Sequence, residues 1–124
     1  IINRTKRYNN KTFPWQQILN DFKDKIIFVG LDDEYTEFCK NYGKIDYHFT
    51  KDYYELMEII AGAKLFIGNQ SFPYSIAEAM KQNCVQETDT WVGNCQFKRH
   101  NSFISKNGEK FDYQLLKYYI ERFI

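Results

Sequence analysis

Two short stretches carry side chains suited to holding an anion. One is NRTKRYNN, residues Asn3–Asn10, with Arg4, Lys6 and Arg7. The other is KLFIGNQSFPYSIAEAMKQ, residues Lys64–Gln82, in which Asn69, Gln70 and Ser71 stand between an apolar run (Leu65, Phe66, Ile67) and a helix-forming segment. A strand followed by a polar loop and a helix leaves free N–H groups and the positive end of a helix dipole at the junction. Each anionic charge placed there gains about 0.3–1 kcal/mol at an exposed site. Guanidinium groups add paired hydrogen bonds to phosphate oxygens. The combination suits a diphosphate. The plainer alternatives are an ordinary strand-to-helix turn with Ser71 as its cap, and a solvated basic loop.

Other chemistries lack their signatures. There is no G-x-G-x-x-G after the first strand and no G-x-x-x-x-G-K-[ST]. No G-x-S-x-G surrounds Ser71, which argues against a hydrolase nucleophile. Nothing in the sequence brings His48 or His100 together with a serine and an aspartate. Cys39, Cys84 and Cys95 form no C-x-x-C pair and no metal pattern with the histidines, and read as free thiols in a reducing compartment. The N-x-[ST] triplets at Asn3, Asn10 and Asn69 read as chance.

Composition narrows the class further. A hydrophobic fraction of 44% and a charged fraction of 27% over 124 residues fit a single globular domain with a real core. The 11 Phe and 10 Tyr accompany many Lys, Asn and Ile, a bias that an AT-rich genome explains without a stacking surface. A net charge of +1 gives no electrostatic case for nucleic acid. No apolar run is long enough to span a membrane and no signal peptide is visible, so a cytoplasmic location is expected. Peripheral membrane association through a longer parent protein is compatible with this.

The elements that position these residues follow from periodicity. Ile1 and Ile2 read as the end of a strand. Pro14 opens a helix over Pro14–Lys23, with Trp15, Ile18, Leu19 and Phe22 on one face. Ile26–Val29 reads as a buried strand ending at Gly30. Asp32 or Asp33 caps the next helix, whose inner face is Tyr35, Phe38, Cys39 and Tyr42 and whose stop is Gly43. Ile45–Phe49 is a short strand, and Thr50 or Asp52 caps a third helix with Leu56, Ile59 and Ile60 inward. Cys84–Gln86 is a strand ending at Glu87. Thr88–Gly108 reads as loops with room for one short strand, and Trp91, Phe97 and Phe103 within it want cover. Phe111–Phe123 is a final helix with Tyr113, Leu116, Tyr119, Ile120 and Phe123 inward.

Strands alternating with helices imply a Rossmann-like, doubly wound parallel sheet of about five strands with helices on both faces. Ligands of such sheets bind at the carboxyl ends of the strands. That edge gathers the loops Asn3–Arg7, Gly30–Asp33, Thr50–Asp52, Gly68–Ser71 and Glu87–Thr90. In the helix after Ser71, at about 100° per residue, Phe72, Ile76, Ala79 and Met80 share one face and Ser71, Tyr74 and Glu78 the opposite one. The second face either meets a ligand or is solvated.

The segment FIGNQSFPYSIAEAM resembles the carboxyl-terminal, donor-binding half of GT-B glycosyltransferases, closest to the heptosyltransferase-like family 9 pattern. That pattern has a strand, a polar loop with an acid and a Ser or Thr, then a Gly and a helix containing His. Ala77–Met80, AEAM, also resembles the Glu-Ala element near the donor ribose. The resemblance implies that Asn69, Gln70 and Ser71 lie at the donor phosphates, with Arg4 or Arg7 as phosphate partners and Glu78 as a ribose contact. It implies a nucleotide-sugar donor as substrate, no separate cofactor and no metal. It also implies an amino-terminal domain that binds the acceptor, so that residues 1–124 form the carboxyl-terminal half of a larger protein and are inactive alone. Gln70 stands where the pattern has an acid, Phe72 where it has Gly, and Ser75 near the expected His. Glutamine cannot serve as a general base at neutral pH. Two alternatives follow from these departures and from the fold: a non-catalytic nucleotide- or protein-binding module, and a sugar-nucleotide epimerase relative of the GT-B fold.

Overall fold

The computed structural model describes residues 1–97, 99, 102–105 and 112–124. Strands and helices alternate in the order β1 (Ile2–Asn3), α1 (Trp15–Phe22), β2 (Ile27–Val29), α2 (Asp32–Tyr42), β3 (Asp46–His48), α3 (Tyr53–Gly62), β4 (Phe66–Asn69), α4 (Phe72–Ala79), β5 (Cys84–Glu87), β6 (Ser102–Ser105) and α5 (Tyr113–Glu121). A single 3₁₀ turn, Lys23–Lys25, follows α1. The strands form one six-stranded sheet in the order β3-β2-β1-β4-β5-β6, and every neighbouring pair is parallel. This is a Rossmann-like α/β fold. The sixth strand comes from the stretch that the sequence left mostly as loop. His100, Phe111 and the side chain of Phe103 lie outside the described residues.

Alternation along the strands produces two cores. Ile2, Phe28, Ile67 and Val85 pack with Trp15, Ile18, Phe38, Leu116 and Ile120 from α1, α2 and α5. Val29, Phe66 and Cys84 point the other way and pack with Leu56, Ile60, Tyr74 and Ala77 from α3 and α4. The sheet is therefore covered on both faces, as successive side chains of a strand require. The inner faces expected for α1 and α5 are the ones found, as is that of α2 through Tyr35, Phe38 and Tyr42; Cys39 is not part of that core.

The caps refine the expectations. Asp52 caps α3, its carboxylate accepting the Glu55 N–H at 2.9 Å, and Ser71 caps α4 by accepting the Tyr74 N–H at 3.3 Å. The cap position of α2 is Leu31, not Asp32 or Asp33. Leu31 has no side-chain acceptor for the first-turn N–H groups; Glu34 reaches back instead and accepts the Leu31 N–H at 3.0 Å. Asp32 and Asp33 instead lie inside the first turn, where negative charge complements the helix dipole.

Helix α4 corrects the face assignment. Tyr74, Ala77 and Glu78 are buried, whereas Phe72, Ala79 and Met80 are exposed. Of the face shared by Phe72, Ile76, Ala79 and Met80 only Ile76 is buried, and the face of Tyr74 and Glu78 is internal, with Tyr74 packed against Phe66 and Phe97.

Candidate functional site

The strands end, at the carboxyl edge, in Asn3, Val29, His48, Asn69 and Glu87, with Asn69 and Glu87 paired in register. Central strands buried on both faces leave polar side chains at their ends with little water, so each must find a partner inside the protein. Asn69 does so completely within reach of the first loop. Its Oδ1 accepts the Thr5 N–H at 3.0 Å, and its Nδ2 donates to the Thr5 carbonyl, the Thr5 hydroxyl and the Arg7 carbonyl at 3.2, 3.0 and 2.6 Å. Asn69 thus fixes the loop that carries Lys6 and Arg7.

Gln70 serves a second loop. Its amide donates to the carbonyls of Val92 and Asn94 at 2.8 and 2.6 Å, and its carbonyl accepts the Asp89 N–H at 2.7 Å. Gln86 assists from β5, donating to the Cys95 carbonyl at 2.6 Å. The amide that replaces the expected acid is thereby a clamp on residues 89–95.

Arg4 turns toward β5. Its Nε and Nη2 donate to Glu87 at 2.8 and 2.7 Å. The same carboxylate accepts the Asn10 N–H and the Trp15 indole N–H, each at 2.8 Å. Burial disfavours the Arg4 cation, but the Glu87 carboxylate more than offsets this and raises its pKa. Arg4 does not line the open cleft described below. Glu78 is likewise internal, 4% exposed and ion-paired with Arg99, whose Nη2 also donates to the Gln82 carbonyl at 2.6 Å. It lies seven residues beyond Ser71, about 10 Å along the helix axis, and shares no cavity with it.

Beside these clamps opens a cleft of about 770 Å³. The first loop contributes Thr5, Lys6 and Arg7. The second contributes Gly30, Leu31, Asp33 and Glu34. Phe49–Tyr53 and Leu56 add further lining, and Gln70–Pro73 bring the amino end of α4. Four of the five loops expected at this edge meet here; the fifth, Glu87–Thr90, packs behind them through Gln70, Arg4 and Asn10. The cleft spans the point between β1 and β4 where the strand order reverses, the usual ligand position in an open α/β sheet.

Of the residues expected to bind, Arg7, Gln70 and Ser71 line this cleft, and Arg4, Asn69 and Glu78 do not. Arg7 is exposed, stacks over Tyr8 at 5.3 Å and has no carboxylate partner among the described residues. Lys6 lies 3.0 Å from Asp33 and 4.0 Å from Glu37. Hydrogen bonding to Lys6 holds Asp33 below the usual carboxylate range. Phe49, Tyr53 and Phe72 are exposed, and Tyr53 meets Phe72 edge-on at 5.1 Å, giving the cleft an apolar part beside its cations. Such a mixture of apolar surface with a few convergent polar groups is typical of small-molecule sites.

No family model, curated protein or solved structure matches the chain.

Sequence reasoning missed Asn3 and Glu34. Asn3 is fully buried; its Nδ2 donates to the Val29 carbonyl at 2.8 Å, and its Oδ1 accepts from Ser71 Oγ at 3.4 Å. The position of Glu34 three residues after a cap was the available signal for it. His48 stands 3.1 Å from Glu55 and lies outside the cleft. Burial pushes the Cys84 thiol up to about 12, so it stays protonated and inert. Among the described residues, no group of three His, Cys, Asp or Glu side chains could hold a metal, and no helix is long and apolar enough to cross a membrane.

Proposed function

We propose that the cleft binds a nucleotide diphosphate and that the chain is the donor-binding domain of a nucleotide-sugar-dependent glycosyltransferase. The observation that carries the reading is the cleft at the reversal point. It combines the Arg7 guanidinium, which has no carboxylate partner among the described residues, with the Ser71-capped end of α4 and an apolar wall. The resemblance of FIGNQSFPYSIAEAM to GT-B donor domains supports the same ligand class.

In this reading the phosphates lie between Arg7 and the first turn of α4, with Lys6 exchanging Asp33 for a phosphate oxygen. The positive end of the α4 dipole and a guanidinium stabilise charge that develops on a departing diphosphate; Pro73 has no N–H and the Tyr74 N–H is held by Ser71, so Phe72 alone offers a first-turn N–H. Gln70 contributes position only, because its amide cannot accept a proton and is tied to residues 89–94. The base that activates the acceptor comes from the acceptor-binding domain that the resemblance implies.

The test is a titration of the protein with UDP, ADP, GDP and CMP sugars to millimolar concentration, followed by thermal unfolding and calorimetry. One nucleotide class raises the unfolding temperature, and Arg7→Glu and Ser71→Glu abolish the rise. No response to any nucleotide overturns the reading.

A second reading, a nucleotide-binding module without chemistry, is favoured by the engagement of Gln70 at the position of the expected acid. Following sugar transfer by the parent protein separates the two. Binding without transfer selects the module.

A further inference from the structure

The carboxylates that line the cleft are not equivalent. Asp33 is paired with the Lys6 ammonium, and Asp52 caps α3. Glu34 is differently placed. Its Oε2 accepts the Leu31 N–H at 3.0 Å and lies 3.5 Å from Asn3 Nδ2, while Oε1 makes no hydrogen bond among the described residues. A carboxylate offers about four lone-pair positions on its two oxygens. Glu34 lines the cleft, and one of its oxygens has no hydrogen-bond partner among the described residues. The side chain is also partly buried, and desolvation raises its pKa above the usual range despite the Leu31 and Asn3 contacts. The protein thus removes this carboxylate partly from water and does not fully replace the hydrogen bonds lost.

Its position is fixed from below. The buried Asn3 amide reaches Glu34 with its nitrogen and receives Ser71 Oγ with its oxygen, so one side chain registers Glu34 against the cap of α4. Gly30 permits the approach. A Cβ there would fall 2.6 Å from Asn3 Nδ2 and 2.7 Å from Glu34 Oε2, and its φ of +142° disfavours any other residue. A cation and a held, under-bonded acceptor lining the same cleft fit a ligand that carries both phosphate and hydroxyl groups.

We infer that Glu34 accepts a ribose hydroxyl of a ribonucleoside diphosphate whose phosphates lie at Arg7 and the amino end of α4. The inference rests on the reading of the cleft as a nucleotide site and adds a selectivity to it: ribonucleotides over deoxynucleotides. An O–H donor to a carboxylate makes a shorter and stronger bond than one between neutral groups.

The experiment compares UDP, ADP, GDP and CDP with their 2′-deoxy and 3′-deoxy counterparts by calorimetry. For wild-type protein, the ribonucleotide that binds exceeds at least one deoxy counterpart by about tenfold or more, the size expected of a hydrogen bond to a charged group. Glu34→Ala loses the ribonucleotide advantage and keeps the deoxynucleotide affinity. Glu34→Gln, which preserves shape and the contact to Leu31, retains part of the advantage. Equal wild-type affinities overturn the assignment without touching the nucleotide reading, as does an advantage unchanged in Glu34→Ala. No binding of any of the diphosphates to the wild type overturns both.

Discussion

On the β5 side of the sheet's carboxyl edge, Glu87 is fully buried and takes hydrogen bonds from Arg4, Asn10 and Trp15. On the β1–β3 side, Lys6, Arg7 and Glu34 line an open cleft. The residue types are the same, and the solvation is opposite. An ion pair removed from water must be bonded on every side to be tolerated, and its strength then goes into holding geometry. Charges at the cleft are incompletely matched and can exchange partners. The buried half anchors the first loop through Arg4, Asn10 and Asn69, and that loop carries Lys6 and Arg7 to the cleft. Rigidity on one side of the sheet therefore supports availability on the other.

The largest effect should come from opening the buried half. Glu87→Ala leaves the Arg4 guanidinium, the Trp15 indole and the Asn10 N–H without their acceptor. Removing one partner of a buried pair costs about 3–5 kcal/mol, read as a lower urea midpoint. A loss comparable to that of a surface substitution would break the contrast between the two halves.

Asn69→Ala is next. It removes the acceptor of Thr5 N–H and the donor to Arg7, with an expected loss of about 1–3 kcal/mol. Hydrogen exchange sharpens the result: the Thr5 amide should lose protection while amides of α5 keep theirs. Gly30→Ala has a similar cost, about 1–3 kcal/mol, from enforcing a positive φ on a residue with a side chain.

These positions also mark how far sequence reached. The strand and helix alternation was legible because Ile18, Leu19, Phe38, Leu116 and Ile120 repeat at helical spacing and the strands are short apolar runs. That polar groups gather at the carboxyl edge followed from topology. Which of them face a ligand did not follow, because the partners are remote in sequence. Asn69 meets Thr5 across 64 residues, and Arg4 meets Glu87 across 83. Glu78 was expected on a face that meets a ligand or is solvated; its partner Arg99 arrives from 21 residues away, beyond the reach of helical spacing. Glu34 was hidden by two aspartates that looked like better caps. Strand β6 was obscured by the Gly- and Asn-rich stretch around it.

The Glu34 carboxylate gives a pH test of the open half. Burial raises its pKa from the ordinary 4.5, so the folded chain binds this proton more tightly than the unfolded one. The neutral form is the stabilising one. Its contribution is complete below the unfolded pKa and declines as pH rises through the folded value. Urea midpoints measured from pH 4 to pH 8, on about the scale over which carboxylates titrate, should therefore show Glu34→Gln gaining on wild type as pH rises. A constant difference would mean that the cleft solvates Glu34 as fully as water does.

The smallest effect on folding and the clearest on binding belong to the cations at the cleft. Lys6 pairs with Asp33 at 3.0 Å, but both side chains are half exposed or more, and water screens such a pair so that it adds little to stability. Arg7 contributes no ion pair among the described residues, so Arg7→Ala should shift the urea midpoint within the scatter of surface substitutions, about 0.5 kcal/mol. Nucleotide binding should respond in the opposite proportion, because a phosphate at the mouth of the cleft would draw on the charge that the fold leaves uncommitted. Lys6→Ala has a smaller effect on affinity than Arg7→Ala, since Lys6 must first leave Asp33. Added salt separates the halves once more: it weakens nucleotide affinity through screening of the exposed charges, while the buried Arg4–Glu87 pair, shielded from ions, keeps the urea midpoint nearly constant. If Arg7→Ala unfolds the protein as readily as Glu87→Ala, Arg7 belongs to the anchor and the cleft has lost its free cation.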